Sequence, residues 1–213
     1  LLYKRQIANK KGKVLGMTTV HVGDLKITGE RWWINRVLAE LQKVFGELKI
    51  NWREFTNCGT HHVQNSTTKE ITLDQIKYIQ SLQQISHPEI TSGKQEDTSS
   101  DELHQLFQSL LGAVAYAIHA RPDVAVFVCA LQRHSKESKV IHIVKLNKLL
   151  RWMQRHSKRI SYKAMPTENT HLKIISDAAF RKEDDGFSLR GVLFLRCAGP
   201  VGAKLGSTVC HLI

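Results

Sequence analysis

Two β-rich runs open the chain, and a polar segment separates them. They cover residues 1–8 and 14–22, and the intervening Asn9-Lys10-Lys11-Gly12 has the composition of a turn. Gly23-Asp24 interrupts the second run before a further apolar run at residues 25–28. Glycine and short polar residues between such runs favour tight turns. The pattern therefore predicts a short antiparallel sheet.

Apolar residues then recur at helical spacing over residues 30–45, and Gly46 ends the pattern. The positions concerned are Ile34, Val37, Leu38, Leu41, Val44 and Phe45. This spacing predicts a helix that buries one face. Two strands are predicted after it, at residues 48–52 and 55–63.

A turn at Asn65-Ser66 and a short strand around Ile71 are predicted next. Asp74 is then expected to cap a helix with its side-chain oxygen. The apolar residues of this helix are Ile76, Ile79 and Leu82. Residues 87–101 are rich in small, polar and helix-breaking residues, which predicts a linker.

Three helices are predicted after the linker. Ser99 and Glu102 have the spacing of a capping box, and an apolar helical pattern follows. Its members are Leu103, Leu106, Phe107, Leu110, Leu111 and Val114. Pro122 is placed to begin a second helix at its first position. The third helix, residues 140–156, has Ile143, Leu146, Leu150 and Met153 on one side and Lys145, Lys148, Arg151 and Arg155 on another.

The end of the chain returns to a β pattern. Strands are predicted at residues 172–175 and 191–195, on either side of a polar stretch at residues 181–188. A last β-like run stands at Leu212-Ile213. The expected fold class is therefore α/β, more specifically α+β.

Charge changes this picture by indicating a partner. The chain has 31 Lys and Arg against 19 Asp and Glu, a formal net charge of +12. Such an excess favours a polyanion, because cations that neutralise phosphates release counterions. Ten of the cations lie between Leu131 and Lys163, where Glu137 is the one acidic residue. A basic but otherwise ordinary solvated surface is the alternative.

Cysteine spacing bears on the compartment and on metal binding. The four cysteines are Cys58, Cys129, Cys197 and Cys210. No C-x-x-C pair occurs among them, which argues against a disulfide framework or a zinc ribbon and favours a reducing, intracellular setting. Cys58 with His61 and His62 has zinc-type ligands, but no second half-site at suitable spacing accompanies them.

Neither export nor membrane insertion is expected. The chain begins without methionine or a signal-peptide core, which indicates a piece of a longer polypeptide. Its apolar runs are shorter than the roughly 18 residues that a membrane span needs. Four tryptophans could stack on bases, namely Trp32, Trp33, Trp52 and Trp152. Trp33 and Trp152 lie beside helical core positions, so core packing is predicted for those two.

The segment His21-Val22-Gly23-Asp24, followed by residues 25–29, resembles the reverse transcriptase signature of copia-type retrotransposons. In that signature an aromatic residue, a valine and two aspartates precede an apolar strand that ends in Thr-Gly. Further matches occur in the family's order. They are Leu2-Tyr3-Lys4, Ile71-Thr72-Leu73-Asp74-Gln75 with Tyr78, Leu110-Leu111-Gly112 with Tyr116, Arg121-Pro122-Asp123, Leu149-Leu150-Arg151-Trp152-Met153 and Ser176-Asp177-Ala178.

This resemblance implies the end of a reverse transcriptase and the start of a ribonuclease H within a Pol polyprotein. The fold implied is a partial palm hairpin, thumb and connection helices, and the first strands of a ribonuclease H-like sheet. Four segments are then expected: a palm and thumb remnant at 1–86, a linker at 87–101, a basic helical connection at 102–165, and an N-terminal ribonuclease H-like part at 166–213.

The family's polymerase reaction needs two divalent ions, Mg²⁺, about 4 Å apart and held by carboxylates. The resemblance implies that Asp24 is the remnant of the aspartate pair, because Gly23 stands at the first position. Mg²⁺ retains little affinity for an isolated carboxylate, so the chain is expected to bind no cofactor and to be inactive as a polymerase. A simple hairpin turn is the alternative for Gly23-Asp24.

Asp177 matches the first metal-binding carboxylate of the ribonuclease H site. The family's next catalytic carboxylate is expected beyond residue 213. Asp184 and Asp185 lie where the family carries acids without catalytic duty. A solvated aspartate at a strand end is the alternative for Asp177.

The basic helix is the candidate for residual function. The resemblance places residues 140–156 near the template, so Lys145, Lys148, Arg151 and Arg155 are predicted to contact the phosphates of an RNA or DNA duplex without selecting sequence. A solvated helix face explains the same pattern. Three hypotheses remain: an inactive fragment, a residual nucleic-acid-binding module, or a piece of a longer active enzyme.

Overall fold

A computed structural model of the protein describes residues 5–8, 14–166, 169–179, 189–202 and 209–212. Some expectations from the sequence lie outside these ranges. They concern the Leu2-Tyr3-Lys4 match, the turn at residues 9–12, the polar stretch at residues 181–188 with Asp184 and Asp185, and Ile213.

Helices and strands are both well represented, which confirms a mixed α and β class. The helices are α1 (Arg31–Phe45), α2 (Ile76–Ser81), α3 (Pro88–Ser92), α4 (Asp101–Tyr116), α5 (Ala125–Gln132) and α6 (Val140–Arg155). The strands are β1 (Arg5–Ala8), β2 (Val14–His21), β3 (Asp24–Gly29), β4 (Glu54–Asn57), β5 (Thr60–Gln64), β6 (Ile71–Asp74), β7 (Ile160–Tyr162), β8 (Thr170–Ala179), β9 (Leu189–Ala198) and β10 (Cys210–Leu212). The reverse transcriptase and ribonuclease H folds stay predictions.

The described strands form three sheets, of order β1-β2-β3, β4-β5-β6-β7 and β10-β9-β8. The chain divides into two compact units, Leu1–Val63 with Thr72–Ile160 and Gln64–Ile71 with Ser161–Ile213. The four segments implied by the resemblance stay a prediction. Within the described ranges, no helix has both the length and the apolar character needed to cross a bilayer.

The predicted N-terminal sheet is confirmed, since β2 pairs antiparallel with both β1 and β3. Helix α1 packs on this sheet at Gly16, where an added Cβ atom would overlap the ring of Trp33. Trp33 and Ile34 are the buried residues of α1, whereas Val44 and Phe45 are exposed. The helix therefore buries the residues near its start, and the predicted apolar stripe stays partly in solvent towards its end.

Two strand predictions in the following segment need correction. Residues 48–52 are irregular and not a strand. The strand predicted over residues 55–63 is a hairpin made of β4 and β5. Cys58 and Gly59 reverse the chain there with positive φ angles of 48° and 67°. Asn57 and Gly59 are turn-forming residues, and this signal was overlooked when the segment was interpreted as one strand.

The main core of the first unit is helical. Its fully buried residues come chiefly from α4, α5 and α6, and Ile79 of α2 joins them. They include Leu103, Phe107, Leu110, Leu111, Val114, Val128, Leu131, Val140, Ile143, Leu146, Leu150 and Met153. The helical periodicity of α4 and α6 is therefore confirmed, with the exception of Leu106, which is 40% exposed.

The segment predicted as a linker is ordered against the helical core. It contains α3. The N–H and the hydroxyl of Ser99 both donate to the Ser138 carbonyl, each at 2.9 Å. Ser100, not Ser99, caps α4 by accepting the Leu103 N–H at 3.4 Å. The capping-box prediction is therefore displaced by one residue, because the Ser99 hydroxyl is already bonded elsewhere.

In the second unit, β8 and β9 pair antiparallel over ten residues each, and β10 pairs with the other side of β9. The strands predicted at residues 172–175 and 191–195 are parts of β8 and β9, which confirms them. Cys197 and Ala198 are the buried apolar residues that the structure describes at the end of β9. This sheet carries Asp177.

Candidate nucleic-acid interface

Helix α6 separates its two kinds of side chain as the sequence predicts. Ile143, Leu146, Leu150 and Met153 are almost fully buried in the helical core. Their burial fixes the rotation of the helix about its axis, because side chains three and four residues apart share one face. The predicted cations Lys145, Lys148, Arg151 and Arg155 are consequently all exposed.

The four cations differ in their contacts. The guanidinium of Arg151 donates to Gln84 Oε1 from Nη2 at 2.8 Å and from Nε at 3.3 Å. In the described part of the chain, no hydrogen bond or ion pair joins the side chain of Lys145, Lys148 or Arg155 to another residue. These three can therefore approach a phosphate without breaking an existing bond, whereas Arg151 would have to leave Gln84.

Several cations counted in the basic segment are neutralised locally. Lys139 contacts Glu96 at 3.2 Å, Lys158 contacts Asp123 at 2.9 Å, and Arg159 contacts Asp74 at 3.2 Å. The count along the sequence therefore overstates the positive charge available to a partner, since these acids come from elsewhere in the chain.

An apolar groove of about 670 Å³ lies between α5 and α6, beside Lys145 and Lys148. Its lining residues are Phe127, Ala130, Leu131, His134, His142, Lys145, Lys148, Leu149 and Trp152. Phe127 is 57% exposed and Trp152 is 39% exposed. The groove thus combines two exposed aromatic rings with two lysines, the combination that binds bases and phosphates together.

The core position predicted for Trp152 is wrong. Met153 and Leu150 occupy the buried face of α6, so Trp152 lies at its border. Its ring stacks on His156 with 4.9 Å between centroids, and the Arg121 guanidinium lies 5.2 Å from its centroid. One residue of displacement turns a helical side chain by about 100°, which is enough to move it out of the core.

His134 and His142 stack at one end of the groove, with ring centroids 3.6 Å apart. Burial, followed by the neighbouring His134, Lys145 and Lys139, lowers the pKa of His142 to about 4. Its Nδ1 accepts the Lys139 backbone N–H at 3.0 Å, which requires an unprotonated nitrogen. His142 is therefore uncharged at neutral pH, and the lysines supply the charge of the groove.

Acidification is expected to destabilise this region between pH 6.5 and about 4. The unfolded chain protonates His142 near pH 6.5 and the folded chain only near pH 4, so the unfolded state binds more protons in that window and stability rises with pH. The full pKa change corresponds to about 3 kcal/mol, and solvent screening reduces the expected loss from pH 7 to 4 to about 1–2 kcal/mol in urea unfolding. A His142→Asn variant, which keeps an acceptor for Lys139, should lose that part of the pH dependence. Identical profiles for both proteins would contradict the assignment.

The β2–β3 hairpin places Asp24 as the first residue of β3, opposite His21. Asp24 lines a cleft of about 390 Å³ between β3, α1 and the segment before β4. It is the one carboxylate among the described residues that line this cleft, where Lys26 and Lys49 are also found. Lys26 Nζ lies 2.9 Å from His62 Nε2, and burial lowers the pKa of Lys26. These residues do not fit a pair of Mg²⁺ ions.

The hairpin turn itself departs from the expected geometry. The positive φ angle falls on Val22, at 53°, and not on Gly23. A β-branched residue is unfavourable in that conformation. Val22 is also 93% exposed, so no packing offsets the cost.

Substitution of Val22 by asparagine is therefore expected to stabilise the chain. Asparagine tolerates positive φ, so Val22→Asn should raise the free energy of unfolding by about 1 kcal/mol. Urea denaturation measures this change. Val20→Asn, made in the half-buried part of β2 next to this turn, should be destabilising and serves as the matched control. A loss of stability in Val22→Asn would contradict the argument.

Asp177 lies on β8 opposite Gly191, and its side chain is exposed. Among the described residues, no three His, Cys, Asp or Glu side chains come close enough to hold a metal ion, at Asp177 or elsewhere. The predicted remnant metal sites at Asp24 and Asp177 are thus placed on separate sheets, and neither belongs to a group of three such ligands among the residues that the structure describes.

The Cys58, His61 and His62 group does not converge. His61 and His62 are consecutive on β5, so their side chains leave opposite faces of the strand. His61 lies 3.5 Å from Asp74, whereas His62 stacks on Phe55 with 4.9 Å between centroids. Asp74 also accepts the Ile76 N–H at 3.1 Å, but Gln75 is the N-cap residue of α2, so the predicted cap is displaced by one residue.

Sequence reasoning missed the structural role of the Arg-Pro-Asp match. Arg121 is only 1% exposed and donates to both oxygens of Asp123, at 2.9 and 3.1 Å. It also donates to the carbonyls of Met153 at 3.4 Å and His156 at 3.0 Å. Arg121, held in place by Asp123, therefore caps carbonyl groups at the C-terminal end of α6. The available signal was an Arg and an Asp on either side of a helix-starting proline.

Other matched residues also serve packing. Tyr78 and Tyr116 meet edge to face with centroids 5.4 Å apart, and the Tyr78 hydroxyl donates to the Ala113 carbonyl at 3.0 Å. Tyr116 donates to the Cys58 carbonyl. Tyr78 and Tyr116 thus join α2, α4 and the β4–β5 turn within the first unit.

Comparisons with known proteins add no assignment: no family model, no curated protein and no solved structure matches this chain.

Proposed function

We propose that this chain is a piece of a copia-type reverse transcriptase and ribonuclease H polyprotein that binds nucleic acid without catalysing polymerisation. Support for the ancestry comes from the ordered sequence matches, from the β2–β3 hairpin with Asp24 beside its turn, and from the antiparallel β8–β9 pair that carries Asp177. The ligand proposed is an RNA or DNA duplex, contacted through its phosphates.

The observation that carries the binding proposal is the exposed face of α6. Lys145 and Lys148 border an apolar groove with two exposed aromatic rings, and Arg155 continues the same helix towards its end. Cations of this kind neutralise phosphates and release counterions, which gives affinity without sequence readout. Exposed rings beside them add stacking where bases are accessible.

Fluorescence anisotropy with labelled duplexes of unrelated sequence tests this proposal. Affinities should agree between sequences, and log K should fall linearly with log salt, by about 0.9 for each phosphate contact on DNA. Single-stranded oligonucleotides of the same length should show a shallower slope, about 0.7 for each contact. An affinity that does not change with salt would contradict the proposal.

The absence of polymerase activity is tested separately by primer extension with Mg²⁺ or Mn²⁺. The unmodified chain should give no product, because Asp24 has no carboxylate partner among the described residues of its cleft. Gly23→Asp restores the first aspartate of the matched pair and serves as the comparison. Appreciable synthesis by the unmodified chain would contradict the inactive assignment and favour a piece of an active enzyme.

A further inference from the structure

Two cysteines that are distant in sequence meet on the sheet of the second unit. Cys197 on β9 and Cys210 on β10 are directly opposite each other, and their sulfur atoms lie 2.9 Å apart. Cys197 is 2% exposed, whereas Cys210 is partly exposed. Both are present as thiols.

The hydrogen-bond pattern identifies the type of cross-strand pair. The Ala198 N–H donates to the Val209 carbonyl at 2.9 Å, so Ala198 and Val209 form a hydrogen-bonded pair. Such pairs alternate along an antiparallel ladder, which makes the neighbouring Cys197 and Cys210 a non-hydrogen-bonded pair. In these pairs the Cα atoms are about 4.5 Å apart and the side chains are close, a separation that lies within the range of disulfide bonds.

We propose that Cys197 and Cys210 form a reversible disulfide through exchange with a low-molecular-weight disulfide such as oxidised glutathione. This inference does not depend on nucleic-acid binding. It requires no backbone movement, since the register already places the two Cβ atoms on the same face of the sheet.

The exchange proceeds in two balanced steps. The thiolate of Cys210, the more accessible residue, attacks oxidised glutathione, forms a mixed disulfide and releases one glutathione thiolate. The Cys197 sulfur then attacks the Cys210 sulfur and displaces the second glutathione. The two protein thiols are oxidised, the glutathione disulfide is reduced to two thiols, and these take up the two protein protons.

The environment of each thiol agrees with this order. The hydrogen bond with Cys210, followed by burial, raises the pKa of Cys197. The raised pKa and the burial of Cys197 both disfavour attack by its thiolate, so the more accessible Cys210 reacts first. The product links β10 to β9 covalently, where three residue pairs hold this short strand in the reduced protein.

The test is disulfide mapping on the full chain. Reduced protein is incubated with oxidised glutathione at neutral pH, quenched with acid, alkylated, digested and analysed by mass spectrometry. We expect a linked peptide pair containing Cys197 and Cys210, lighter than the thiols by two hydrogen atoms. It should exceed every other pairing of the four cysteines by about tenfold, because the second step is intramolecular. Hydrogen exchange of residues 210–212 should slow after oxidation.

Matched variants separate the two steps. Cys58→Ser combined with Cys129→Ser should leave the linked pair unchanged. Cys197→Ser should stop at a Cys210–glutathione mixed disulfide, whereas Cys210→Ser should leave the buried Cys197 largely unmodified. A linkage found only between chains, equal modification of both thiols, or a pair that forms only in denaturant would overturn the proposal.

Discussion

Replacement of Arg121 by methionine is expected to lower the free energy of unfolding by about 3–5 kcal/mol, the usual cost of removing one partner from a buried ion pair. Methionine fills a similar volume without donors. Asp123 would then keep its charge beside an apolar neighbour, with Lys158 as the remaining contact. The carbonyls of Met153 and His156, which Arg121 now satisfies, would lose a donor at the end of α6.

The partner residue provides the control. Asp123 is partly exposed, and Asp123→Asn keeps a neutral acceptor for Arg121, so its cost should be clearly smaller. Urea denaturation followed by circular dichroism compares the two variants with the parent. A loss below about 1 kcal/mol for Arg121→Met, typical of a surface pair, would contradict a buried structural role.

The same pair gives a pH signature. The hydrogen bond from Arg121, assisted by Lys158, lowers the pKa of Asp123 to about 2 from an ordinary value of 3.8. The folded state then binds fewer protons than the unfolded state in that range. The contribution of this carboxylate to stability is therefore complete above pH 3.8 and is lost as the pH falls towards 2. Asp123→Asn should remove this contribution.

Removal of three cations from α6 is expected to abolish most nucleic-acid binding. In the triple variant Lys145→Gln, Lys148→Gln and Arg155→Gln, each lost phosphate contact should reduce the salt slope by about 0.9 on duplex DNA. At 0.1 M salt the corresponding loss is on the order of tenfold per contact, and on the order of 500-fold for the three. Fluorescence anisotropy at several salt concentrations measures both quantities.

A charge-matched control distinguishes this face from net charge alone. Arg36→Gln, Lys49→Gln and Arg53→Gln remove the same charge from exposed positions outside the α5–α6 surface. That triple variant should retain nearly all the affinity and the full salt slope. Equal losses in the two variants would show that binding is spread over the whole basic surface and would contradict an interface on α6.

Local sequence patterns were sufficient for the long elements. Helices α1, α4 and α6 and strands β2, β3, β8 and β9 follow predicted segments, because periodic burial over several turns or residues leaves a strong signal. The predictions of short elements failed where contacts with distant residues determine the local structure. Residues 48–52 alternate like a strand but pair with none of the described strands, and Ser100 caps α4 because the Ser99 hydroxyl is bonded to Ser138.

The candidate interface was predicted in part. The exposure of Lys145, Lys148, Arg151 and Arg155 followed from the apolar face of α6, since one face of a helix dictates the other. The sequence did not reveal that Gln84 engages Arg151, or that Phe127 and Trp152 form one groove with two of the lysines. Those contacts join different elements, so spacing along the chain does not encode them.

By itself, the sequence determined the mixed α and β class, the two faces of α6 and the isolation of Asp24 after Gly23, because each depends on neighbours within one element. The tertiary structure alone decided that Arg121 and Asp123 close α6, and that Cys197 meets Cys210 across a sheet. Burial and strand register bring together residues far apart in the chain, and these long-range contacts set the desolvation, the pKa shifts and the reactive geometry that local patterns leave open.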